Sequence, residues 1–261
     1  MRSKISAAAL ATVLVLGSVA CSDDDGGDEA SSVATAETTT EAGLGAEVCD
    51  AVLGVGTAID GGFNGPPTTG YVENVLIPAV DAVLAADVDE LTGPAAELQA
   101  AAQAVIDGEE FFGLYGEIDV GGNGDETVYG LYGELAAAIQ TGCGYEAIDV
   151  TAIDYEFEGV PVTLAAGRAS FNLTNDGNEG HQMILFRRND GGTRGSIEDI
   201  LDLGEEGDGW GYALTTAGST GPQPGVQPGQ TGYLLAELEA GSYATVCFIT
   251  GERMVAEFEV T

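Results

Sequence analysis

The stretch GSYATVCFITGERMVAEFEV, residues 241–260, is written in the pattern of extended chain. A Gly-Ser-Tyr turn opens a strand that delivers Cys247. A short hydrophilic hairpin, Phe248 to Arg253, reverses the chain. Met254 then begins a last strand in which Met254, Ala256, Phe258 and Val260 fall on one face. That alternation is the period of a strand with one side buried. A thiol and a thioether therefore stand seven residues apart at facing strand ends.

The same period runs back to Tyr145. AIDVTAIDYEFEGV, VTLAAGRASFNLTN, HQMILFRR and TGYLLAELEAG are rich in Val, Ile, Thr, Tyr and Phe. Gly, Asn-Asp-Gly or Pro-Gly turns separate them. SIEDILDLG reads as a single short helix, and STGPQPGVQPGQ as a Pro/Gly loop. A glycosylation sequon at Asn172 falls in mid-strand and carries no weight. Six or seven strands over residues 146–261 predict a Greek-key β-sandwich.

Three motifs in this half, in order, carry a specific resemblance: ASFNLTNDGNEGHQMILFR (169–187), LEAGSYATVCFI (238–249) and MVAEFEV (254–260). Together they resemble a cupredoxin, the blue-copper fold. In that family a strand ending in Asn-x-Gly precedes a histidine. A Gly-x-Tyr-x-x-x-Cys strand supplies a thiolate, and the last hairpin supplies a second histidine and then a methionine. The resemblance implies a cupredoxin-like domain with copper as cofactor. His181 takes the place of the first imidazole, Cys247 of the thiolate and Met254 of the axial thioether. The second histidine has no counterpart, because His181 is the only histidine in the chain.

A blue-copper centre needs two imidazoles and a thiolate in one plane, with a weak, long axial contact. Three alternatives follow from the missing imidazole. Glu252, the nearest oxygen donor in the hairpin, would complete a His181/Cys247/Glu252/Met254 set, and Thr250 stands where some members keep the histidine. His181, Cys247 and Met254, joined by Met183, would instead make a soft set suited to Cu(I). Or each residue simply packs: a turn histidine, a buried cysteine and a core methionine. The leading expectation is a degenerate cupredoxin-like module with a non-enzymatic binding or interaction role. Its alternative is copper binding at a modified site, for storage, delivery or electron transfer.

Residues 44–143 keep a different period. AEVCDAVLGVGTAI, TGYVENVLIPAVDAVLAAD, VDELTGPAAELQAAAQAVID and DETVYGLYGELAAAIQTG have apolar residues at helical spacing or strong helix formers. They predict an N-terminal four-helix-type bundle, with Pro78 starting or kinking a helix and Gly142 capping the last one. The joint DVGGNGDE (119–126) reads as a polar turn, since Gly130 stands where a calcium loop needs its bidentate glutamate. Cys49 and Cys143 flank this segment. In an oxidising compartment they are expected to pair, leaving Cys247 free.

The N-terminus completes the picture. Residues 1–20 read as a signal peptide: Arg2 and Lys4, then an apolar run too short to span a bilayer. GSVAC resembles a bacterial lipoprotein signal, with Ser18 where leucine is usual. The resemblance implies lipidation at Cys21 and anchorage on the outer face of the cell membrane. Residues 21–43 read as a flexible, disordered acidic tether. Seven basic residues stand against 43 acidic ones, a formal net charge of −36. That balance excludes nucleic acid, whose binding needs basic phosphate contacts, and points to a metal ion or a cationic protein as partner. No Ser/His/Asp order, phosphate loop, HExxH or CxxC stands out, so no enzymatic activity is expected.

Overall fold

In the computed structural model, residues 43–61, 68–107, 128–206, 213–220, 225–249 and 253–261 are described. Each apolar period of the N-terminal half is a helix. Helix α1 (Ala46–Gly61) turns Cys49, Val52, Val55, Ala58 and Ile59 inward. Helix α2 (Thr69–Tyr71) starts at Thr68, whose Oγ1 accepts the Tyr71 N–H at 3.2 Å. It runs through a π turn (Val72–Leu76) into α3 (Ile77–Ala85). Pro78 explains the π turn: proline donates no N–H and its ring crowds the carbonyl four residues back, and a widened turn relieves both. Helices α4 (Asp89–Ile106) and α5 (Val128–Ile139) complete the layer. The polar joint 119–126 lies outside the described residues.

Gly142 is not the cap of α5. The helix ends at Ile139, and the left-handed residue is Gly144, at φ 67°. Tyr145 N–H donates to the Gln140 carbonyl at 3.0 Å and Gly144 N–H to that of Thr141 at 3.3 Å. These are the paired bonds of a Schellman stop, which needs glycine two residues further on than the sequence suggested. The Cys49–Cys143 disulfide ties this end to α1 across 94 residues, with Cα atoms 5.6 Å apart.

The strands are β1 (Glu146–Ile153), β2 (Glu156–Glu158), β3 (Thr163–Leu164), β4 (Gly167–Asn175), β5 (Ile184–Arg188), β6 (Leu214–Ser219), β7 (Thr231–Leu238), β8 (Gly241–Cys247) and β9 (Met254–Val260). One sheet has the order β2-β1-β4-β7 and the other β3-β9-β8-β5-β6. Two stretches expected as single strands are broken. Asp154, at φ 46°, folds 147–160 into the β1–β2 hairpin, and Gly167, at φ 138°, separates β3 from β4. Ile148, Val150, Phe171, Leu173 and Leu234 of one sheet meet Leu185, Tyr243, Cys247, Met254 and Phe258 of the other. Each such side chain, fully buried, favours the fold by about 1.5–3 kcal/mol.

Helices cover part of both outer faces. Leu235 and Tyr233 of β7 pack into the helical core with Tyr132 and Leu135 of α5. Polar contacts seal the same seam: Gln140 donates to Ser170 Oγ at 2.7 Å and Asn172 Oδ1 at 2.6 Å. Arg168 pairs with Asp50 and lies over the Tyr145 ring. On the far sheet α6 (Ile197–Glu206) sets Ile197, Ile200 and Leu201 against Phe186, Ala244 and Val246. The layers thus run helices, sheet, sheet, helix, within one compact unit, Thr40–Thr261. No helix among the described residues is long and apolar enough to cross a membrane.

Candidate metal centre

Asn175, at the end of β4, is fully buried and organises the turn that carries the histidine. Its Nδ2 donates to the carbonyls of Glu179 and Val226, each at 2.7 Å, while its Oδ1 accepts the Gly177 N–H at 2.8 Å. His181 does not begin a strand, as HQMILFRR suggested; β5 starts at Ile184. The backbone of His181 is instead bridged to Val226, donating at 3.0 Å and accepting at 2.6 Å. Gly225 (φ 74°) makes that bridge feasible, because a side chain there would strike the His181 carbonyl. Gly177 does the same for the ring: a Cβ would lie 2.8 Å from His181 Nε2.

Cys247 closes β8 and Met254 opens β9, and the two are direct register partners. Cross-strand partners have Cβ atoms about 4.5–5.5 Å apart. The Cys247 sulfur lies 4.0 Å from His181 Nδ1 and accepts the Gln182 N–H at 3.4 Å. His181 and Cys247 are 0% exposed and Met254 is 1% exposed. A metal held by a thiolate at ~2.3 Å and an imidazole at ~2.05 Å would set sulfur and nitrogen about 3.5–3.8 Å apart, from tetrahedral to trigonal angles. The observed spacing is slightly wider than that range.

Burial lowers the His181 pKa, and the charges of Asp154 and Glu179 offset this in part. The ring is therefore neutral near pH 7, the form that ligates metal. Two buried atoms here have no hydrogen-bond partner among the described residues: His181 Nε2 and Thr245 Oγ1. Each such orphan costs about 1–3 kcal/mol.

These residues do not fit a blue-copper centre, which takes two imidazoles where the chain holds one. They do fit a softer site of one nitrogen, one thiolate and thioether sulfur. Among the described residues no three His, Cys, Asp or Glu side chains gather to hold an ion. Among the described residues the donors that stand beside His181 and Cys247 are therefore thioethers, Met254 in register with Cys247. Glu252, the oxygen donor of the hairpin, Thr250, at the histidine's spacing, and Cys21, the expected lipid site, lie outside the described residues.

Sequence reading found the three donors but not what holds them. Asn175 and Gly177 stood in the Asn-x-Gly motif, although nothing in the residues alone assigned the clamp. Gly225 was hidden in a Pro/Gly loop, and the Gln182 N–H is a backbone group without sequence signature. Tyr243 behaves as a sheet-corner tyrosine. It stacks on Phe258 with centroids 5.5 Å apart, and its hydroxyl accepts the Glu239 N–H at 3.2 Å.

No protein-family model and no curated protein matches this chain. Solved structures similar to it include reduced auracyanin from the photosynthetic bacterium Roseiflexus castenholzii, at 12% identity and a TM-score of 0.29, covering 44% of this chain and 96% of that one. Another is auracyanin A, a "blue" copper protein from Chloroflexus aurantiacus, at 16% identity and a TM-score of 0.30, covering 45% of this chain and 100% of that one. Rusticyanin from Thiobacillus ferrooxidans is similar at 19% identity and a TM-score of 0.28, covering 44% of this chain and 76% of that one. At these scores the likeness assigns no chemistry, and the site stands on its own residues.

Proposed function

We propose that this protein is a non-enzymatic, exported metal carrier, held to the membrane through Cys21, that binds a single copper ion at His181, Cys247 and Met254. One observation carries the reading. Donors far apart in sequence converge in a closed core, with the Cys247 sulfur 4.0 Å from His181 Nδ1 and Met254 beside it in register. Bound copper would supply a soft Lewis-acid centre, and the chain's part is to present a neutral imidazole, a thiolate steadied by the Gln182 N–H and a thioether.

The test is Cu(I) titration of the full mature protein against a chromogenic chelator under anaerobic conditions. The expected result is one tightly held ion, abolished by Cys247→Ser and weakened by His181→Ala. Failure to withdraw any copper from the chelator leaves the sandwich as a packing module. Isolation with an intensely blue copper would show that the second imidazole's role is filled after all. For the anchor, Cys21→Ala should move the protein out of the membrane fraction; an unchanged distribution removes the lipid claim.

A further inference from the structure

The ladder β5–β8–β9 carries a second thioether to the same place. Ile184 pairs with Val246, and continuing that antiparallel register by one residue sets Met183 opposite Cys247. On the other side of Cys247 stands its register partner Met254. Both methionines are buried in the sandwich core, at 0% and 1% exposure. A row Met183–Cys247–Met254 thus crosses three strands, with His181 Nδ1 reaching the middle sulfur.

The Met183 backbone is fixed from its far side. Its N–H donates to Thr220 Oγ1 at 2.9 Å, and its carbonyl accepts the Thr220 N–H at 2.9 Å. Composition sharpens the point. The chain has three methionines including Met1, one histidine and four cysteines. Cys49 and Cys143 are bonded to each other, and Cys21 is the residue expected to carry the lipid. Every soft donor left over, Met183, Met254, Cys247 and His181, therefore collects on one patch of core. Core packing alone asks for no such selection, because leucine or isoleucine would fill the same volume.

We propose that Met183 is a fourth ligand, standing in for the absent imidazole, so that the centre is a three-sulfur, one-nitrogen site for a soft monovalent ion of the Cu(I) or Ag(I) type. This rests on the metal reading above and narrows it. Exchanging an imidazole for a thioether replaces a donor that suits both copper oxidation states by one that favours Cu(I).

The experiment uses Ag(I), a redox-inert monovalent probe, with the full mature protein carrying 13C-methyl methionine. Met183→Leu and Met254→Leu assign the two signals, each close to conserving volume. The expected result is that one equivalent of Ag(I) shifts both methyl resonances. Met183→Leu should also weaken Ag(I) binding by at least about tenfold, the lower end of what losing even an outer-shell partner costs a metal site. Its thermal midpoint without metal should stay near that of the parent. If only the Met254 methyl moves and Met183→Leu binds as tightly as the parent, Met183 is core and this proposal fails, while the three-donor site stands. If neither methyl moves and Cys247→Ser changes nothing, the metal reading itself fails. Should Met183→Leu not fold, the methyl shifts of the unsubstituted protein decide alone.

Discussion

Asp60 has the largest consequence for stability. It lies at the end of α1, in the seam with the sandwich, where the Ser219 backbone of β6 and the Tyr129 side chain of α5 favour its charged form. Burial outweighs both and lifts its carboxyl from 3.8 to about 7. Two neighbouring phenols respond: Tyr71 and Tyr132 are pushed up by burial first and by the Asp60 charge second. A carboxyl whose proton affinity rises on folding stabilises the fold fully below its unfolded value, and loses that stabilisation as pH climbs through the folded value. At 1.36 kcal/mol per tenfold change in proton affinity, the move from 3.8 to about 7 withdraws at most about 4 kcal/mol. Asp60→Asn keeps the shape and removes the charge. Urea unfolding of both proteins from about pH 4.5 to 8.5 gives the difference directly, and the many other acids cancel in it. Near the acid end the variant should be equal or weaker by about 1 kcal/mol, the worth of one imperfect hydrogen bond. Near pH 8 it should be the more stable by about 2–4 kcal/mol. A difference that stays flat across the range, or one that favours the parent as pH rises, refutes the reasoning.

Other consequences follow from single contacts. Replacing Cys49 and Cys143 by serine frees a 94-residue loop and should lower unfolding free energy by about 2–5 kcal/mol in urea titration. Gly177→Ala crowds the His181 ring. It should cost about 1–3 kcal/mol and displace the ring resonances in the NMR spectrum; unmoved ring signals would contradict the packing described. Tyr243→Phe removes the acceptor of the Glu239 N–H but keeps the stack on Phe258. A loss of about 1 kcal/mol in thermal or urea unfolding is expected, and none at all would place that N–H on water.

Periodicity made most of the fold legible. The helices fall where apolar residues recur at helical spacing, and the strands where Val, Ile, Thr, Tyr and Phe alternate. The failures are conformational rather than hydrophobic. Gly144 rather than Gly142 stops α5, because a left-handed residue is chosen by which carbonyls remain open, and composition does not record that. Asp154 breaks a long alternating run because an aspartate tolerates φ 46° in a tight hairpin. For the site, the residues delivered His181, Cys247 and Met254: Cys247 and Met254 stand at the end and beginning of recognisable strands, and His181 follows the Asn-x-Gly motif. Met183 stands in the soft set read from the residues, but its place opposite Cys247 needs the register of β5 on β8, a long-range pairing that no local pattern encodes.

The missing imidazole bears most on which oxidation state the site would favour. An electron carrier must hold copper comparably well in both states, so that little rearranges when the electron moves. Cu(II) favours nitrogen and oxygen donors in tetragonal array, and Cu(I) favours sulfur. A buried set of one imidazole, one thiolate and thioethers is lopsided toward the reduced ion. On the proposed reading, that imbalance is a handicap for a redox relay and suits a protein that stores or hands on a monovalent ion. The surface agrees in sign: a net charge of −36 draws cations toward the protein before any ligand is met. Selectivity would then come from the core, because carboxylates on the outside attract any cation while the sulfur row retains only a soft one.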